Sequence, residues 1–97
     1  MYRPLPQSLT IANSSIDGLG LFSLQSIPCN VDLGLSHIMV GEEVVRTPLG
    51  GFYNHSENPN CEKVLVSEGK WNLFTIKDIE PGEELTVKYT LYDIERN

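Results

Sequence analysis

Apolar and polar residues alternate along this chain in short runs, which Gly, Pro and Asn interrupt. No stretch longer than about ten residues shows clean helical periodicity. Alternation with a period of two predicts β-strands that bury one face. The runs with this pattern are residues 8–12, 21–24, 35–40, 43–46, 63–67, 71–76 and 84–89. The pattern therefore predicts a mainly β protein with little or no helix.

Two pairs of these runs are close enough in sequence to form β-hairpins. Segment 35–46 contains a turn signal at Gly41, and segment 63–76 contains one at Gly69. Between the earlier strands, the irregular spacing of apolar residues predicts a loop over residues 27–34.

Composition narrows the classes of function. The chain has 97 residues without repeats or linkers, which predicts one domain over residues 1–97. Its formal net charge of −6 argues against general nucleic-acid binding and fits a cationic partner. No apolar run approaches a membrane span, and the 2 cysteines form no Cys-x-x-Cys pair. We therefore expect no membrane contact and an intracellular location, cytoplasmic or, in a eukaryotic setting, nuclear.

Segment 51–61 (GFYNHSENPNC) is polar and rich in turn residues, although it lies between apolar strand-like runs. Asn side chains carry both donors and acceptors and tolerate unusual backbone angles. Pro59 restricts Asn58 to extended or turn geometry. The segment is either a rigid hydrogen-bonding platform at a functional site or a well-capped surface loop.

Three motifs occur in a fixed order along the chain. They are segment 16–22 (IDGLGLF), segment 54–61 (NHSENPNC) and segment 78–89 (DIEPGEELTVKY). Together they resemble the signature of the SET-domain protein-lysine methyltransferases. The resemblance implies a SET-domain-like (β-clip) fold of several short twisted sheets. It also implies a knot-like arrangement in which the C-terminal segment passes beneath an earlier loop, a rare kind of threading.

The resemblance implies that S-adenosylmethionine is the cofactor. Main-chain groups at Gly18, Leu19 and Gly20 would meet its methionine part, since glycine permits close backbone approach. The Asn54 side chain would bind its amino-acid end, and the main chain of His55 would help to recognise adenine. Without the resemblance, the glycine segment is an ordinary turn and His55 is a loop histidine with local hydrogen bonds.

Tyr89 is the residue predicted to be catalytic, and by resemblance it also contacts the cofactor at the transfer site. A phenol can donate or accept a hydrogen bond beside a reacting amine. Tyr92 and Tyr53 are expected to line the channel for the substrate lysine. The alternative for Tyr89 is a strand aromatic packed in the core. Four other aromatic residues are assigned to the core: Phe22, Phe52, Trp71 and Phe74.

The chain also departs from the family pattern. Residues 23–53 are fewer than the family commonly has between its first two motifs, which reduces one wall of the substrate groove to hairpin 35–46. No cysteine follows Cys61, so we expect a buried thiol and no zinc, and His37 has no ligand-like spacing around it. Gly51 stands where the family commonly has Arg.

Three functions are compatible with these features. The first is a minimal S-adenosylmethionine-dependent methyltransferase that modifies a lysine of a protein or peptide substrate. The second is a catalytically inactive SET-like module that binds a protein partner, which the shortened central region favours. The third is a small β binding domain with no role in methyl transfer. A homodimer can complete the shortened groove, whereas direct nucleic-acid binding is not expected.

Overall fold

The computed structural model describes residues 5–89, and within them the backbone is almost entirely strand and turn. Between β4 and β5 lies a single turn of helix, α1 (Pro48–Gly51). Among residues 5–89, no helix is long and apolar enough to cross a membrane. The prediction of a mainly β protein with little helix is confirmed. The strands are β1 (Leu9–Asn13), β2 (Leu19–Ser23), β3 (Asp32–Val40), β4 (Glu43–Arg46), β5 (Asn54–His55), β6 (Cys61–Ser67), β7 (Lys70–Thr75) and β8 (Glu84–Val87).

The strands pair in the order β1-β2-β8-β6-β7-β3-β4, and β5 pairs with β8 outside this path. The last strand of the described chain, β8, is therefore central. It is antiparallel to β2 and parallel to β5 and β6. Because both edges of β8 are paired, the third motif is fixed between the first motif and the second. The predicted passage of the C-terminal segment beneath an earlier loop continues into residues 90–97, which lie outside the described residues.

Both predicted hairpins are present, as β3–β4 and β6–β7. Strand β3 begins at Asp32, inside the segment 27–34 that was predicted to be a loop. Its pairing with β7 is irregular on both sides of Gly34, which has a φ of 117°. An irregular register breaks the simple alternation of polar and apolar residues, which is why the sequence pattern did not show this part of the strand.

The core consists mainly of aliphatic side chains from alternating strand positions. The four aromatic residues assigned to it are each only partly buried, and of these Phe52 packs against it. Trp71 lies at a different place, described below. The buried hydrophobic residues are Leu9, Leu21, Ile27, Leu33, Leu49, Tyr53, Cys61, Leu73, Ile79, Leu85 and Val87.

Thr47 fixes the helical turn that leads into β5. Its hydroxyl donates to the Leu35 carbonyl at 2.6 Å and accepts from the Gly50 amide at 3.3 Å. This second contact is an N-cap bond, which satisfies a free amide at the start of a helix. A Cβ on Gly50 would overlap the Ser36 carbonyl, so α1 lies directly on β3. The contact sets the position of Tyr53 and of the strand that follows it.

Candidate functional site

The first motif forms the turn between β1 and β2, and this turn folds around the Ser14 side chain. Ser14 N donates to the Gly18 carbonyl at 2.8 Å, and Ile16 N donates to Ser14 Oγ at 2.9 Å. Gly18 has a φ of 45°, which favours glycine. A Cβ on Gly18 would meet no atom within 4 Å. The turn therefore leaves open space beside its main chain, as ligand binding there requires.

Asn54, at the start of β5, connects this turn to β8. Its Oδ1 accepts none of the hydrogen bonds found within residues 5–89, so it can accept one from a ligand. The second terminal atom of the Asn54 side-chain amide is surrounded by four oxygens. It is therefore assigned as the nitrogen, Nδ2, because an amide oxygen in this position would be repelled by them. The two N–H groups of Asn54 Nδ2 are shared among Ser14 Oγ (3.1 Å), Asp17 O (3.2 Å), Leu19 O (3.3 Å) and Glu84 Oε2 (2.8 Å).

The Glu84 carboxylate fills the space that a side chain at position 20 would occupy. Ser14 Oγ lies 2.8 Å from both Glu84 carboxylate oxygens and donates to them. A Cβ on Gly20 would overlap this carboxylate and lie 3.0 Å from Ser14 Cβ. Gly20 is therefore needed for the close contact between β2 and β8. We refer to Ser14, Asn54 and Glu84 as the Asn54 cluster.

The His55 side chain positions Tyr89. Tyr89 N donates to His55 Nδ1 at 2.8 Å, and the two ring centroids are 5.2 Å apart. Because Nδ1 accepts, the neutral imidazole carries its proton on Nε2, which faces Glu57 Oε1 at 3.4 Å. Lys88, 3.2 Å from the same carboxylate, and His55 lower the pKa of Glu57. This side-chain role of His55 is additional to the main-chain role predicted from the resemblance.

Tyr89 also contacts Tyr53, the other described tyrosine of the predicted site. Its hydroxyl donates to the Tyr53 carbonyl at 3.0 Å, and the two rings meet edge to face at 6.1 Å between centroids. The ring of His37 lies 6.3 Å from that of Tyr53. With its hydrogen directed at a carbonyl, the Tyr89 oxygen presents lone pairs that can accept from an amine.

A cleft of about 850 Å³ opens beside Tyr53, which precedes β5, and Tyr89, which follows β8. We call it the Tyr89 cleft. The glycine turn and Asn54 do not line it, so the candidate site has two faces, which β5 and β8 connect. Tyr92, which was predicted to line the lysine channel, lies outside the described residues. The cleft is lined by His37, Glu42, Glu43, Val44, Arg46, Gly50, Gly51, Tyr53, Pro59, Cys61, Glu62, Lys63, Leu65, Trp71, Ile76, Val87, Lys88 and Tyr89.

Asn60 is a structural residue of the site that the sequence analysis did not single out. It is only 5% exposed. Its Oδ1 accepts from Thr86 N at 2.9 Å, and its Nδ2 donates to Glu84 O at 2.8 Å and to Glu83 Oε2 at 3.1 Å. Asn60 therefore binds the backbone of β8 to the second motif. Its place directly before an apolar strand was the available signal, since a polar residue buried there needs hydrogen-bond partners.

Cys61 is a buried free thiol, as predicted. Burial, with a smaller contribution from the charge of Glu83, raises its pKa to about 12. A thiol with such a pKa stays protonated at neutral pH, and the thiolate is the form that binds metal. Within residues 5–89, no three His, Cys, Asp or Glu side chains are arranged to hold a metal ion.

A β-rich fold with a central C-terminal strand, together with these contacts among three motifs, defines a protein of the SET class. The family model for the SET domain matches residues 29–90, well over half of the chain. The chain therefore belongs to the SET domain family.

A curated relative matches about half of the chain. The chain is 45% identical over 49 residues to "Histone-lysine N-methyltransferase, H3 lysine-36 specific" of Aspergillus oryzae. This match covers 47% of the chain but 5% of that protein, so the chain spans only a small part of the relative's length.

Solved structures support the fold. A candidate histone methyltransferase of Plasmodium falciparum matches with a TM-score of 0.72 at 23% identity, over 90% of this chain and 96% of that one. The methyltransferase domain of human PR domain-containing protein 2 matches with a TM-score of 0.70 at 18% identity, over 89% of this chain and 79% of that one. At these identities the likeness establishes the shared fold alone.

Proposed function

We propose that the chain is an S-adenosylmethionine-dependent protein-lysine N-methyltransferase. The observation that carries the proposal is the arrangement of the two faces around β5 and β8. On one face, Asn54 lies against the open glycine turn. On the other, the hydroxyl of Tyr89 lies beside Tyr53 at the Tyr89 cleft. Membership of the SET domain family supports the same function.

The residues of the first face fit S-adenosylmethionine, which when bound supplies a methyl group on a positively charged sulfur. Its amino-acid end needs an acceptor for an ammonium group, and Asn54 Oδ1 is available for that contact. Its chain needs close access to main-chain groups, and the open space at Gly18 provides it. The Asn54 amide nitrogen is held by four oxygens, so the acceptor is fixed in place before a ligand binds.

The residues of the second face fit the substrate amine. Lysine reacts as the neutral amine, whereas its ordinary pKa is about 10.4, so the ammonium must release a proton to water. The Tyr89 hydroxyl donates to the Tyr53 carbonyl and can accept an N–H of the amine, which directs the nitrogen lone pair. The Tyr53 and Tyr89 rings provide apolar walls for the methylene chain of the lysine.

The first experiment is calorimetric titration with S-adenosylmethionine of the native chain and of Asn54→Ala. We expect stoichiometric binding in the native protein and its loss in the variant. Radiolabelled cofactor and lysine peptides then test transfer, with Tyr89→Phe as the variant expected to reduce it at least tenfold. If the native protein binds no cofactor at millimolar concentration, the proposal for the isolated chain is wrong.

A second candidate is a SET-like module that binds a protein partner without catalysis. The observation that favours it is the direct passage from β4 through Thr47 to α1, which leaves the β3–β4 hairpin as the groove wall that the described central residues supply. Cofactor binding without transfer to any peptide, or to any lysine of a protein array, would favour this candidate.

A further inference from the structure

Strand register places four side chains in one row across the sheet β6-β7-β3-β4. Leu65 pairs with Trp71, Trp71 pairs with His37, and His37 pairs with Arg46. Directly paired residues of neighbouring strands point to the same face. All four side chains also line the Tyr89 cleft. The row is therefore a built floor of the cleft, in which Leu65 is exposed and the ring of His37 lies 6.3 Å from that of Tyr53.

The Leu65 end of this row is apolar and accessible. Leu65 is 58% exposed, and its partner Trp71 is half-buried. A large aliphatic side chain directly beside an indole, inside a concave site, is a typical anchor position for a partner's apolar side chain. Trp71 was assigned to the core from the sequence, but the structure places it in the floor of the cleft instead.

The distance from this anchor to Tyr89 suits an extended peptide. Ring centroids are 6.1 Å apart from Tyr89 to Tyr53 and 6.3 Å apart from Tyr53 to His37. One inter-strand step of about 4.8 Å then leads from His37 to Trp71. An extended peptide advances about 3.3 Å per residue, so a side chain up to about five residues from a lysine at Tyr89 reaches Trp71.

Charge does not select the ligand of this cleft. Among residues 5–89, the acidic residues that line it (Glu42, Glu43 and Glu62) equal in number the basic ones (Arg46, Lys63 and Lys88). Balanced lining charges produce little net attraction for an acidic or a basic peptide, so apolar contact decides which sequence binds.

We infer that the Tyr89 cleft selects extended lysine-containing peptides with a large apolar side chain up to about five residues from the lysine, docked between Leu65 and Trp71. This inference rests on the proposed function for the identity of the lysine site. The peptide segment between lysine and anchor lies along the row, and its own charges have little influence on affinity. The substrate class is therefore defined by an apolar anchor and not by a basic tail.

The structure supplies both a reporter and a matched control. Trp71 is the only tryptophan of the chain, so its fluorescence reports directly on binding at the anchor. Leu65→Ser removes the neighbouring apolar side chain at an exposed position. Val66→Ser makes the same kind of change at the next residue, which is 46% exposed and does not line the cleft. Both variants keep the reporter.

The experiment titrates each protein with peptides that contain one central lysine in a Ser/Gly background. A single leucine is moved one position at a time on either side of the lysine. We expect one leucine position to raise affinity about tenfold in the native chain and in Val66→Ser, and Leu65→Ser to abolish that increase. In a parallel series, a lysine or a glutamate takes the place of the leucine. We expect the affinity of these peptides to differ less than threefold from that of the Ser/Gly peptide without leucine.

The outcomes separate this inference from the proposed function. Leucine-dependent binding without methyl transfer would support the anchor and contradict the enzyme. Methyl transfer or binding that is equal for all leucine positions would overturn the anchor and leave the enzyme standing. The third outcome is that Trp71 fluorescence changes with protein concentration in the absence of peptide, and that the native chain has the mass of a dimer in solution whereas Leu65→Ser does not. This result would identify the cleft as a homodimer interface and would also overturn the inference.

Discussion

Replacement of Asn60 by alanine tests whether this one side chain holds β8 in place. The substitution removes the acceptor of Thr86 N and a donor to Glu84 O, in a region where Asn60 is 5% exposed and Thr86 is 7% exposed. Each buried polar group left without a partner costs about 1–3 kcal/mol. We therefore expect Asn60→Ala to lower the free energy of unfolding by about 2–6 kcal/mol, of a total of about 5–15 kcal/mol for a typical domain.

Urea unfolding at pH 7, followed by Trp71 fluorescence, measures this change. The lower bound of about 2 kcal/mol corresponds to a decrease in Tm of roughly 8–16 °C for a domain of this size. Asn58→Ala is the matched control, because Asn58 is exposed and, among residues 5–89, its side chain accepts from Lys77 Nζ alone, at 2.6 Å. It should stay within about 0.5 kcal/mol of the native chain. Equal stabilities of the two variants would refute the assigned role of Asn60.

Three further predictions concern the glycine turn and the thiols. Gly20→Ala places a methyl group against the Glu84 carboxylate and should lower the free energy of unfolding in urea by about 1–3 kcal/mol. The loss should be larger than in Gly18→Ala, because at Gly18 only the φ of 45° opposes a side chain. At pH 8 a disulfide reagent should label the partly exposed Cys29 in the native chain but Cys61 only after unfolding. Because folding raises the pKa of Cys61 from 9.0 to about 12, the free energy of unfolding should fall as pH rises from 9 towards 12. Cys61→Ala should reduce that slope, and equal slopes would contradict the pKa assignment.

Local sequence signals were sufficient for the strands and for the turns between them. Alternation of apolar residues gave the positions of β1, β6 and β7 to within a few residues, and Gly69 marked the β6–β7 turn. These signals depend on neighbours two to four positions apart, so they are visible in one chain. The irregular start of β3 was missed because its register shifts remove the alternation.

Long-range contacts could not be predicted from periodicity. The hydrogen bonds between Ser14 and Glu84 join residues 70 positions apart, and they exist only because β8 lies beside β2. The same holds for Trp71, since its place in the cleft depends on the pairing of β7 with β3. Strand order is set by the packing of the whole chain, and similar alternating patterns fit several orders. Resemblance to the family supplied the proximity of the motifs, but not these particular contacts.

Three hydrogen-bonded contacts hold β8 and the residues that follow it. They decide which variants can separate a loss of catalysis from a loss of structure. Asn60 binds its backbone, Glu84 joins the Asn54 cluster, and Tyr89 N donates to His55. Loss of methyl transfer in Asn60→Ala would therefore include displacement of β8, the strand that leads to Tyr89. Tyr89→Phe keeps the backbone bond and loses the hydroxyl contact to the Tyr53 carbonyl, worth about 1 kcal/mol. A loss of transfer at least tenfold with a Tm decrease below about 8 °C would thus assign the hydroxyl to the reaction and not to the fold.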